Sequence, residues 1–339
     1  MTATMLSAAV HAPDDVRLDR VPVPRPGPGD VVVRIKACGI CGSDLGYARA
    51  GGLPIGSHGP LPLGHEFSGV IAAVGAGISG FAPGERVVVN PTTPANMIGS
   101  GGPGGFAPYI LIRDAMAPDT LHRIPDGLDD STAALTEPFA VALHGVNRSG
   151  AQPGDKVVVF GAGPIGLGVV AMLRQRGVSD VIVVDRVEAR LDRALVMGAA
   201  HVLNPERCDL WQEIGALHGA GELYGMPVVH TDRFIDVAGA APVIAGIIAH
   251  ARFGAHLTVV AVHHAPVPTD FAMLLGKEMS LVTAMAYPTE FAEVLDLLAA
   301  GAVPTGPYVS HTYPFDQFEA AFAMAADPAA AAKVIVTFP

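Results

Sequence analysis

The chain is short of cysteine, of tryptophan and of charge. Its 339 residues include three cysteines and one tryptophan, and only 16% are charged. Cys38, Cys41 and Cys208 are too few for a disulfide framework, which excludes a small stapled secreted fold. Half of the residues are hydrophobic, so disorder driven by charge is excluded as well. Lysine and arginine number 21 against 32 acidic residues, a net charge of −11, and no basic run occurs. Neither nucleic acid nor an anionic membrane is an expected partner. The first residues lack a charged start followed by an apolar core and a cleavage site, so a cytoplasmic location is expected. One long hydrophobic run exists, Val157 to Leu173, just short of a membrane span. Gly161, Gly163, Pro164, Gly166 and Gly168 interrupt it, which predicts strand, turn and helix instead.

Glycine and proline, by contrast, are plentiful at 40 and 29 residues, and they imply many tight turns. The first 150 or so residues read as β-rich, with short apolar runs at Val31–Ala37, Phe67–Val74, Arg86–Val89 and Tyr109–Arg113. A glycine-rich loop, Pro91 to Gly105, contains no cysteine. The rhythm then changes to apolar strands at Val157–Phe160, Val181–Val184, Phe234–Asp236, Leu257–Val260 and Ser280–Ala284, alternating with helical periods. Val187, Leu191, Ala194 and Leu195 are predicted to share one helix face, the pattern of a parallel α/β sheet. A later helix is predicted with Thr289 as N-cap, a Phe291/Val294/Leu295/Leu298 stripe and Gly301 as stop. Phe315, Phe318 and Phe322 mark another helix, and Lys333–Phe338 a closing strand. Boundaries are expected near residues 147 and 286. One unit would then comprise 1–147 and 287–339, and the other 148–286.

Gly161-x-Gly163-x-x-Gly166 follows a strand directly and opens a helix. Pro164 and Ile165 lie inside the motif. The glycines permit a tight turn, close approach of a pyrophosphate and close packing of the helix, whose positive N-terminus faces the phosphates. A bare glycine motif is weak evidence. Asp185, ending the next strand about 20 residues on, strengthens it as an acceptor for ribose hydroxyls. A carboxylate there would repel a 2′-phosphate, so NAD is the expected cofactor, with Arg186 next door as the opposing sign.

Cys38-Gly-Ile-Cys41-Gly-Ser43-Asp44 is followed by Gly64-His65-Glu66. A lone Cys-x-x-Cys also suits a redox pair or half of a structural zinc site, but no second pair exists to complete four thiolates. A catalytic zinc needs three ligands and an open position, which cysteine, histidine and glutamate can supply. Histidines such as His11, His58, His122, His201, His263 and His264 have no such context, and a surface or packing role is expected for them.

These residues carry a resemblance. Gly64, His65, Glu66, Gly69, Gly75 and Ile78 match the signature of the zinc-dependent medium-chain alcohol dehydrogenases. The stretch Ala134–His144, the glycine motif and the closing Lys-Val-Ile-Val also fit. The chain resembles the sorbitol (polyol) and threonine dehydrogenase branch over essentially its whole length. The resemblance implies an α/β protein with a GroES-like β-barrel catalytic domain and an inserted Rossmann domain. It implies one catalytic zinc held by Cys41, His65 and either Glu66 or Glu137, with no structural zinc. Ser43 would take the substrate proton and Asp44 would orient the histidine. The activity implied is reversible hydride transfer between NAD and a secondary alcohol or polyol, in a homodimer or homotetramer. Two departures stand out. Gly46 occupies a position where the branch commonly has histidine, and the four-cysteine lobe is replaced by the glycine loop. Tyr47, His58 and parts of Met97–Phe106 are expected to line the cleft. Two rivals are a zinc-free quinone or enone reductase on the same fold and a non-catalytic dinucleotide-binding protein.

Overall fold

The structure is a computed structural model that describes residues 3–53 and 59–339. His58 lies outside the described residues. The strand order of the central sheet is His201–Leu203, Asp180–Val184, Lys156–Phe160, Arg233–Asp236, His256–Val259 and Ser280–Thr283, all parallel. Strands buried on both faces must be apolar throughout, as Val157, Val158, Val159 and Phe160 are, and that is why they read as continuous runs. The long apolar run resolves into the strand Lys156–Phe160 and the helix Pro164–Gln175, and no described helix is long and apolar enough to cross a membrane.

A second, mostly antiparallel sheet orders Val309–Pro314, Lys333–Thr337, Val31–Gly39, Glu66–Val74, Arg86–Val89 and Leu121–Arg123, with Tyr109–Ile112 also pairing to Val31–Gly39. The closing strand therefore hydrogen-bonds to the first half of the chain. A three-stranded sheet of Asp15–Pro22, Thr4–Ala12 and Leu61–Pro62 lies beside it. The helix Thr136–Ser149 packs Phe139, Ala142 and Leu143 into the core that also holds Val157 and Leu167.

Three details differ from expectation. The helix Phe291–Ala299 begins one residue later than predicted, with Glu290 and not Thr289 as its cap, because the Glu290 carboxylate is engaged by His144 and Asn147. Leu195 turns to solvent, and Met197 takes its place beside Leu191 and Ala194 on the buried face. An antiparallel hairpin, Ala220–Leu223 with Met226–Val229, interrupts the βα alternation.

Candidate active site

Cys41 caps the helix Gly42–Ala50, and Asp44 in its first turn is fully buried. One Asp44 oxygen accepts from Cys41 N at 2.9 Å and the other from Gly64 N at 3.0 Å, so a single carboxylate fixes both segments. His65 Nδ1 faces the same carboxylate at 3.7 Å. The donor atoms of Cys41, His65 and Glu66 lie within 4.8 Å of one another. Cys38, by contrast, faces the barrel core, where burial pushes its thiol well above the usual range. Ser43 is half-buried on the turn that carries Cys41 and Asp44. Glu137 stands outside the close trio, in the first turn of Thr136–Ser149. Burial, with Glu66 adding to it, pushes the Glu137 carboxyl up to about 7 against the pull of His65 and Lys333.

The electrostatics suit a cation. Burial alone would lower the His65 pKa, but Cys41, Asp44 and Glu137 together push it well above the ordinary value. Thiolate, imidazole and carboxylate are the donor types that zinc takes. The residues present therefore fit the metal.

Lys333 was legible only as the start of a closing strand, yet it belongs here. Its ammonium is 2.6 Å from both Glu66 oxygens and donates to Ile40 O at 3.1 Å, in full burial. Burial would discharge a lysine, but Glu66, Tyr308 and Cys41 reverse that and push its pKa up. A charged residue heading an otherwise apolar strand was the available signal. Tyr287 was also missed. It is buried beside Glu137 and Thr92, and its hydroxyl makes no well-aligned hydrogen bond.

The glycine loop packs behind this site. The Asn96 amide bonds Thr93 Oγ1 at 2.9 Å and both the N–H and C=O of Arg113, which fixes the loop's shape. A Cβ at Gly99 would come within 3.1 Å of His65 Nδ1, so the loop seats the imidazole from behind.

At the second candidate site, a Cβ at Gly166 would meet Gly161 O at 1.9 Å, which is why that position must be glycine. Gly163 caps the helix Pro164–Gln175, with Pro164 and Ile165 in its first turn. Asp185 Oδ2 accepts from Ala162 N at 2.7 Å and Oδ1 from Val187 N at 2.9 Å. Each oxygen retains a further lone pair for a ligand hydroxyl. Arg186 is exposed and paired with Glu206. A cavity of about 520 Å³ opens here, lined by Gly161, Asp185, Arg186, Arg190, Glu206 and Ala238.

Residues 27–126 match the family described as alcohol dehydrogenase GroES-like domain, and residues 164–300 match the zinc-binding dehydrogenases. Human sorbitol dehydrogenase is 32% identical over 336 residues, covering 94% of this chain and 91% of its own. The chain belongs to the zinc-dependent medium-chain dehydrogenase family, in its polyol branch. Among solved structures, 2R,3R-butanediol dehydrogenase of Bacillus subtilis superposes with a TM-score of 0.86 at 29% identity, covering 98% of this chain and 99% of that one. A short chain alcohol dehydrogenase of Escherichia coli CFT073, complexed with NADH, superposes at 0.87 with 28% identity, covering 99% and 100%. The chain is thus an oxidoreductase with a GroES-like domain and a Rossmann domain.

Proposed function

We propose that the protein transfers hydride reversibly between NAD and a secondary alcohol or polyol, with one zinc per chain held by Cys41, His65 and Glu66. The observation that carries this is the convergence of those three donors beside Asp44. Bound there, zinc supplies Lewis-acid polarisation of an alcohol oxygen, and NAD supplies the hydride acceptor. Lys333 holds Glu66 from behind, Asp44 orients His65, and Glu137 lies buried beside Tyr287. Ser43 is assigned the hydroxyl that accepts the substrate proton. Gly46 offers no side chain to continue the relay, so onward transfer falls to the cofactor ribose and water. The donor set argues against the zinc-free reductase reading, and the paired metal and cofactor sites argue against a silent binding protein.

The division into 1–147 with 287–339 and an inserted 148–286 is supported by the pairing of Lys333–Thr337 with Val31–Gly39. A cytoplasmic location suits three free cysteines, one of them a proposed ligand that must stay reduced.

Asp185 favours NAD over NADP, and Arg186, tied to Glu206, is drawn away from a 2′-phosphate. Asp185→Asn removes the charge and keeps the size, at the loss of one of the two backbone bonds from Ala162 N and Val187 N. It is expected to narrow the ratio of kcat/KM values for the two cofactors by about 10-fold or more, since like-charge contact costs several kcal/mol. An unchanged ratio would reject the assignment.

A homodimer formed through Ser280–Thr283 is also proposed. This edge strand is uncharged, Leu281 is exposed on it, and Phe271, Leu275 and Met285 are exposed in the segments just before and after. Such an edge invites pairing, and a two-fold axis would close it. Sedimentation should give at least twice the chain mass, and Leu281→Arg should shift it towards one chain. A wild-type mass of 34.8 kDa would contradict the proposal.

A further inference from the structure

Asp236 ends the strand beside Lys156–Phe160, at the point where the central strand order reverses. In such sheets ligands lie across the carboxyl ends of the strands at this reversal, one nucleotide over each half. The cavity at Asp185 belongs to one half. The loop after Arg233–Asp236 borders it through Ala238, and the loop after His256–Val259 belongs to the other half.

Asp236 is fully buried, and its acceptors gather both of these loops. Its Oδ1 accepts from Ala238 N at 3.0 Å and Gly239 N at 3.1 Å. Its backbone carbonyl accepts from Val260 N at 2.9 Å and Ala261 N at 3.1 Å. His263 Nε2 donates to the remaining oxygen, Oδ2, at 2.8 Å. The chain around it is tightly seated. A Cβ at Gly239 would meet Val262 O at 2.8 Å, and one at Gly161 would meet Ala238 N at 3.1 Å. On the other flank, Val260 packs against Gly145 of the helix Thr136–Ser149, whose first turn carries Glu137. Residues 260–263 are therefore held between the cofactor turn and the helix leading to the metal site, and His263 is their side-chain tie.

We infer that His263, through its hydrogen bond to Asp236, is a positioning residue that fixes the 260–263 backbone as the seat of the nicotinamide half of the cofactor. A histidine predicted to serve only surface or packing purposes thus sets the geometry of hydride transfer. The inference rests on the NAD reading above. Breaking the tie at Oδ2 frees residues 260–263 and leaves the Oδ1 bonds from Ala238 N and Gly239 N in place, so the two halves of the cofactor should report differently.

The test compares NADH with ADP, which carries only the adenosine side. His263→Leu is expected to raise the NADH dissociation constant about 10-fold while ADP shifts less than about 2-fold, because misplacing a bound group is costly only where it is seated. The melting temperature should fall as well, since buried Asp236 Oδ2 loses its donor, and the split between the two ligands is the readout. His263→Gln, which restores a donor to Asp236, should recover most of the loss. In wild-type protein, amides of Val260 and Ala261 should gain hydrogen-exchange protection with NADH but not with ADP. Equal loss of both ligands, unchanged NADH affinity in the leucine variant, or equal protection by both ligands would each overturn the inference. Wild-type protein that bound neither would overturn the cofactor reading itself, and the positioning role of His263 with it.

Discussion

Cys41→Ser and His65→Ala are each expected to lower kcat/KM by on the order of 10³-fold or more, since the several kcal/mol of charge stabilisation that a bound metal supplies is lost with its ligand. The two segments that carry these donors are fixed through a single buried carboxylate, Asp44. Removing one donor therefore leaves the other in place but with too few partners. Zinc content should fall below one per chain in both variants. Cys38→Ser is the control. That thiol lies in the barrel core with its Sγ directed to Gly39 O at 3.7 Å, and a serine hydroxyl can use the same acceptor. It should keep both zinc and turnover. Parallel metal analysis and steady-state rates on the three proteins check the assignment, and a zinc-free but active His65→Ala would refute it.

In metal-free protein Lys333→Met is expected to destabilise the fold by about 3–5 kcal/mol, the usual cost of leaving one member of a buried ion pair uncompensated. The Glu66 carboxylate has no solvent to turn to, and its two oxygens lose the ammonium at 2.6 Å together. The loss also frees Ile40 O, one residue from Cys41, so zinc affinity should weaken in the same variant. Glu66→Gln combined with Lys333→Met should recover much of the stability but not the metal, because the neutral pair no longer carries a buried charge. Denaturant unfolding of the two single variants and the double variant gives the coupling. A cost for Lys333→Met below about 1 kcal/mol would show that the pair contributes little.

The parallel sheet was legible because buried strands must be apolar, and the run from Val157 to Leu173 broke at Gly161, Gly163 and Pro164, which form the turn into a helix. The glycine motif and Asp185 were legible because they are local, about 20 residues apart. Cys41 and His65 could be singled out by resemblance, but spacing alone could not separate Cys41 from Cys38. Their surroundings do, one thiol lying in the core and the other at a helix cap. Lys333 and Glu66 are 267 residues apart, and no periodicity links such positions. Asp236 and His263 belong to different strand ends, and only the sheet brings them together. The cap at Glu290 was misread because a tertiary partner, His144, competes with local capping chemistry. Leu195 was misread because a hydrophobic residue beside a stripe need not lie in it.

The most direct test of the whole account is metal removal and return on the wild-type protein, with NAD reduction followed across a panel of secondary alcohols and polyols. The account predicts one zinc per chain, NADH formation with at least one such alcohol, loss of that activity on complete chelation, and recovery when zinc is restored. Two tightly bound zincs per chain, or oxidation that continues undiminished in protein stripped of metal, would contradict it.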